Sequence, residues 1–211
     1  MKKAFQYKIT SKILTTVLIL LIPMAALMLM ESYTHVPWDL TPAIFLLNLL
    51  GYYLIYLLGT FVFGSVAGGY TFATLLFMCC GLANYCVVCF RSSPIVPWDI
   101  YSIRTAVSVA DNYNIDITGK LVAVIAGFLV LTVAGRMLPG KVKKVRIRLA
   151  ALVLSTFCLF GYVRAVGSNA VIEAADLDTT LFTPNVLYRN NGLLGGFVGN
   201  IRFLKVEKPD G

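Results

Sequence analysis

The chain has 211 residues, of which 58% are hydrophobic and 13% charged, and its mean hydropathy is +0.80. A soluble domain of this length spreads charge along every helix and strand, whereas here the charges gather in short clusters between long uncharged runs, which excludes a water-soluble globule. The formal net charge of +8 does not point to nucleic acid, because Lys2, Lys3, Lys8 and Lys12 precede the first apolar run while Lys141, Lys143, Lys144, Arg146 and Arg148 lie between the last two, where they read as juxtamembrane anchors.

A helix needs roughly 20 apolar residues to cross the hydrocarbon core. Five stretches approach that length: Ile13 to Met30, Ala43 to Phe63, Tyr70 to Phe90, Leu121 to Leu138 and Leu149 to Val166. They lack the alternation of barrel strands, and in hydrocarbon every backbone N–H and C=O must bond internally, so helices are the spanning form. The first run follows a basic arm as a secretory signal would, but it is too long and has no small-x-small exit before Glu31, so it reads as a retained span that Pro23 can kink. The loop from Glu31 to Pro42 carries no Lys or Arg, and spans two and three are joined by a tight turn over Gly64 to Gly69.

After the third span, Pro97 opens a segment in which Ile100, Ile103, Val107 and Ala110 recur at helical spacing, the pattern of an amphipathic surface helix. The basic loop Gly140 to Arg148 separates the fourth and fifth spans. Beyond Pro184, Leu193, Phe197, Ile201 and Leu204 fall on one face of a second amphipathic helix that Gly192, Gly195, Gly196 and Gly199 weaken. The expected fold is therefore an all-α integral membrane protein. It has five transmembrane helices (1–167), one or two interfacial helices on the outer side, and an extracellular juxtamembrane linker (168–211). The lysine and arginine bias places the N-terminus in the cytoplasm and the C-terminus outside.

Val36-Pro37-Trp38-Asp39 after the first span recurs as Val96-Pro97-Trp98-Asp99 after the third. Interfacial preference of tryptophan and helix initiation by proline account for much of it, and an internal duplication of a helical hairpin is the alternative.

Catalytic chemistry has no visible home. No Ser/His/Asp set and no phosphate loop occur, and His35 is the single histidine. Cys79, Cys80, Cys86, Cys89 and Cys158 lie in apolar runs and read as packing residues, the Cys86-x-x-Cys89 half-motif having no second pair to complete a metal site. The span interiors hold no carboxylate. Arg136 and Arg164 lie near span ends, close enough to snorkel, and Asn48 and Asn84 suit interhelical hydrogen bonds. What remains is an outward-facing polar surface that includes Arg91, Asp99, Arg104, Tyr188 and Asn191. Its arginines can pair bidentately with a lipid phosphate, or a salt bridge from Arg91 or Arg104 to Asp99 can brace the loop.

At these residues the sequence resembles the membrane half of the lipoteichoic acid synthase family, the sulfatase-like phosphoglycerol transferases of bacterial envelopes. The resemblance is carried by Asn84-Tyr85 through Arg91, Pro94 and Pro97-Trp98-Asp99, by Ala110-Asp111-Asn112-Tyr113, by Tyr188-Arg189-Asn190-Asn191-Gly192, and by Lys208-Pro209-Asp210-Gly211. It implies five membrane helices followed by an extracellular domain with a threonine nucleophile and a manganese ion. In the family, that domain takes glycerol phosphate from phosphatidylglycerol and adds it to a polymer. No cofactor is expected in the present chain, which by itself would be inactive. The partners implied are membrane lipids, phosphatidylglycerol among them, and the chain's own C-terminal domain, with Arg91, Asp99, Arg104, Tyr188 and Asn191 as contacts to a lipid head or to that domain. The alternatives are a standalone scaffold or accessory subunit that uses the Gly192-x-x-x-Gly196 face, and a small lipid carrier.

Overall fold

The computed structural model describes residues 2–102, 117–180 and 183–204. The chain is an all-α membrane protein. Among the described residues five helices are long and apolar enough to cross a bilayer: α1 (Lys2–Glu31), α2 (Pro42–Phe63), α3 (Val66–Arg91), α4 (Gly119–Arg136) and α5 (Val145–Val166). Helices α2 to α5 coincide with the expected spans to within a few residues, whereas α1 begins at Lys2, well before the expected start at Ile13, and runs unbroken through Pro23.

Hydroxyl side chains set several helix starts. Thr41 accepts from Ile44 N (3.4 Å), Ser65 from Gly68 N (3.1 Å) and Thr118 from Leu121 N (3.1 Å), each relieving one of the free N–H groups of a first turn. Pro42 adds a preset φ at the start of α2. Helix α2 stops at Gly64, whose φ of +66° is the left-handed conformation that ends helices.

Helices α2 and α3 form the central pair; α4 lies on α3, α1 covers α2, α3 and α4, and α5 packs against α2. The α2–α3 seam closes to backbone contact at its turn, where a Cβ on Gly69 would fall 2.2 Å from Thr60 N. Farther along, Tyr52 stacks on Phe77 at 4.0 Å between ring centroids, and Tyr33 on Phe128 at 6.0 Å. Three phenols within the spans find the partners that the lack of water favours, Tyr56 with Thr74 (2.8 Å), Tyr53 to Leu20 O (2.7 Å) and Tyr70 to Ile19 O (3.0 Å), while the buried hydroxyls of Tyr52 and Tyr162 have none. Four of the five cysteines, Cys79, Cys80, Cys89 and Cys158, are exposed on helix faces instead of packed inside. Apolarity alone does not distinguish a lipid-facing position from a core one.

The two ends of the bundle differ. At the lysine end, the loop before α5 lies across the α2–α3 turn through Val66 N to Gly140 O (3.1 Å) and Val142 N to Gly64 O (2.9 Å). Arg148 donates to Phe61 O (2.7 Å) and to Val62 O, so this basic residue also caps the last carbonyls of α2. At the opposite, loop end, three short helices follow α5: α6 (Asn169–Ala175), α7 (Pro184–Asn191) and α8 (Leu193–Asn200), the last running into a 3₁₀ turn over Ile201–Leu204.

The helix expected beyond Pro184 thus exists in two pieces. Gly192, at φ +75°, breaks it, and α8 enters the bundle against α2 and α5 instead of lying on its surface. The surface helix expected after Pro97 begins as a 3₁₀ turn over Pro97–Ser102; its remainder lies outside the described residues.

Candidate functional site at the loop end

The repeated tetrapeptide builds the same local structure twice. In each copy proline opens a 3₁₀ turn, and the aspartate N–H donates to the valine carbonyl three residues back, Asp39 to Val36 O at 3.1 Å and Asp99 to Val96 O at 2.9 Å. Each aspartate then receives an arginine. Arg91, in the last turn of α3, meets Asp99 with both terminal nitrogens, at 2.7 Å and 2.5 Å, and also donates to Pro94 O at 2.6 Å. Arg189 of α7 reaches Asp39 at 2.8 Å. The Arg91 pair is the fork-to-carboxylate geometry that holds a loop in one orientation. Asp99 Oδ2 further accepts from Val96 N (2.8 Å) and Asn84 Oδ1 from Ile95 N (2.8 Å). The bracing salt bridge is therefore present, while Arg104 lies outside the described residues.

Helix α7 crosses this end, and its polar side chains bond outward from it. Asn185 donates to Ser92 O (2.6 Å), the left-handed cap of α3, and Asn190 donates to Asp178 Oδ2 (3.0 Å). Asn191 bonds with Asp178 through both its amide oxygen and nitrogen (2.8 Å and 2.7 Å). Burial alone would raise the Asp178 pKa, but hydrogen bonds from Thr180 and Asn190 outweigh it and hold the carboxyl below its usual range. Tyr188 is 2% exposed, and burial pushes its phenol well above its ordinary value. Tyr188 is thus brought beside the Arg91–Asp99 pair and Asn191 against Asp178 and Asn48, both side chains buried in the protein.

Beneath α7 lies a polar arrangement that residue-type reasoning missed. Glu31, assigned from sequence to an exposed loop, is the last residue of α1 and is fully buried. Its two oxygens accept from Leu193 N at 2.9 Å and 3.2 Å, and His35 Nε2 stands 2.8 Å from Oε2. Asn48 of α2 donates to Asn191 O (2.8 Å) and accepts from Gly195 N (2.7 Å). A carboxylate and an amide therefore satisfy the unbonded N–H groups at the start of α8, where the helix dipole favours negative charge. Glycine is required there, since a Cβ on Gly192 would meet Asn48 at 2.9 Å. The Gly192-x-x-x-Gly196 face, read from sequence as a partner surface, is filled internally by Asn48 and Tyr188. A carboxylate following an apolar span, four residues before a histidine, was the available signal for the Glu31–His35 pair.

Between these parts opens a cavity of about 560 Å³, lined by Thr34, His35, Asp39, Ser92, Asn185, Tyr188 and Arg189 among others. Its size is that of a small-molecule site, its lining charges Asp39 and Arg189 are paired with each other, and its His35 stands beside the buried Glu31. Such a lining offers donors and acceptors without a dominant sign. It suits a hydroxylated headgroup more than a bare anion. Among the described residues no group of three or more His, Cys, Asp or Glu side chains is placed to hold a metal ion. No family model, curated protein or solved structure matches this chain.

Proposed function

We propose that this chain is the membrane domain of a lipoteichoic-acid-synthase-like phosphoglycerol transferase. In this reading it sits in the bacterial cell membrane with the lysine end in the cytoplasm, and it positions an extracellular sulfatase-like domain against phosphatidylglycerol in the outer leaflet. One observation carries the reading. The Tyr188-Arg189-Asn190-Asn191-Gly192 motif, on which the resemblance partly rests, is docked on the bundle through Asp39, Asp178 and Asn48. A chain leaving α8 is then held at a set place over the bundle, which is what a tethered catalyst needs if the lipid head is to meet it in a productive geometry. The 560 Å³ cavity beside the motif has the size and neutral polarity for a glycerol head. The manganese of the family belongs to the catalytic domain, and no step here runs through it.

The reading is tested with the full-length gene product in liposomes of phosphatidylglycerol or phosphatidylcholine, with manganese present. Diacylglycerol release and phosphoglycerol polymer are expected only with phosphatidylglycerol, and their absence would end the proposal. Orientation is tested separately by single cysteines in a cysteine-free background. A thiol at Asp176 should react with an impermeant reagent on intact cells and one at Lys143 only after permeabilisation; the reverse pattern would reject the topology.

A further inference from the structure

Beside α8 the structure holds a second cavity, of about 500 Å³, bounded by the last turn of α5 and the 3₁₀ turn that follows α8. It shares no lining residue with the cavity described above and does not depend on the proposed function. Its walls are Val163, Val198 and Ile201, and its charged groups are Arg164 and Arg202. Among the described residues neither guanidinium has a carboxylate within ion-pairing distance, whereas Arg91 and Arg189 each do. Arg202 Nε is buried with no hydrogen-bond partner, and its guanidinium lies 4.5 Å from the Phe203 ring centroid, a contact that restrains its orientation. Two uncompensated cations facing one cavity, one of them with a buried donor left unsatisfied, is a costly arrangement unless an anion completes it.

The anion's chemistry follows from what lies beneath. Phe160 and Phe157 stand four and seven residues before Arg164, on the same face of α5, and Val153 continues that column. They are 62%, 72% and 70% exposed, so the column faces the hydrocarbon, with Arg164 at its top. A molecule whose acyl chains lie along this column puts its phosphate beside Arg164, at the depth where a span-end arginine reaches the headgroups.

We propose that this cavity binds the phosphate of an anionic phospholipid. Arg164 and Arg202 grip it from the fifth span and from the segment leaving α8, so that the lipid ties the two together. Loss of a charge-assisted hydrogen bond weakens binding by about tenfold for each arginine.

Native mass spectrometry of the full chain, released from micelles doped with phosphatidic acid, should show one tightly retained lipid. Micelles doped with phosphatidylcholine should leave none, and R164Q/R202Q should not retain the acid. R164K/R202K, which keeps both charges, should retain most of it and serves if the glutamine variant folds poorly. Retention of phosphatidic acid by R164Q/R202Q equal to the parent, or equal retention of phosphatidylcholine by the parent, would overturn the site. Displacement of the lipid by millimolar inorganic phosphate would show that a free phosphate, not a lipid, is what the arginines recognise, and would overturn the lipid assignment.

Discussion

Truncating Glu31 tests how α8 is held inside the bundle. Its carboxylate is fully buried and accepts from Leu193 N with both oxygens. In Glu31→Ala the donor at the first residue of α8 is left without an acceptor, and the negative charge at that helix start is lost. A hydrogen bond to a charged group contributes about 1.5–3 kcal/mol, and the charge–dipole interaction about 0.3–2 kcal/mol in part-buried geometry. The two overlap, so local docking of α8 should weaken by roughly 2–4 kcal/mol. At about 1.4 kcal/mol per decade, that raises the open population by about two orders of magnitude. Glu31→Gln keeps a carbonyl acceptor without the charge and should cost roughly 1 kcal/mol, near a fivefold rise. Amide hydrogen exchange of peptides covering 193–200 in lipid nanodiscs reads this directly, and α3 and α4 serve as internal references because neither is held by Glu31. Exchange unchanged in Glu31→Ala, or equal acceleration in the alanine and glutamine variants, would refute the view that an acceptor at Leu193 N holds α8 in place.

The two arginine–aspartate pairs should differ. A double-mutant cycle on Arg91 and Asp99, read by thermal unfolding in detergent, should give a coupling near 1 kcal/mol. The more exposed Arg189–Asp39 pair should give less than about 0.5 kcal/mol and lose it in high salt. At the α2–α3 turn, Gly69→Ala should destabilise by about 1–3 kcal/mol through overpacking, because the added methyl meets backbone; Gly161→Ala, with open space around it, should be neutral in the same assay. For Asp178 the sign follows from its depressed folded pKa. Its contribution is complete above the ordinary carboxylate value, about 3.9, and is lost as pH falls through the lower folded value. Protection of segment 176–192 against pepsin should therefore fall across that acidic window, and Asp178→Asn should flatten the dependence.

Much of this architecture is legible in residue order alone. Span length is set by bilayer thickness and the prohibition on unsatisfied backbone groups, so the five apolar runs locate α1 to α5 without any tertiary information. The Arg91–Asp99 bridge joins residues eight apart, and the repeat of Val-Pro-Trp-Asp marks two turns whose geometry is local. What the sequence could not reveal depends on contacts between residues far apart in the chain. Glu31 meets Leu193 across 162 positions and Asn48 meets Gly195 across 147. A carboxylate at the end of a span ordinarily lies in water; only the descent of α8 beside α2 and α5 surrounds it with protein and supplies the N–H it accepts. Arg164 reads from sequence as a span-end residue able to snorkel, and it shares a cavity with Arg202 only because the end of α8 lies against α5. Hydrophobic patterning determines which segments enter the bilayer, while the packing of the short helices at the loop end decides which polar groups meet.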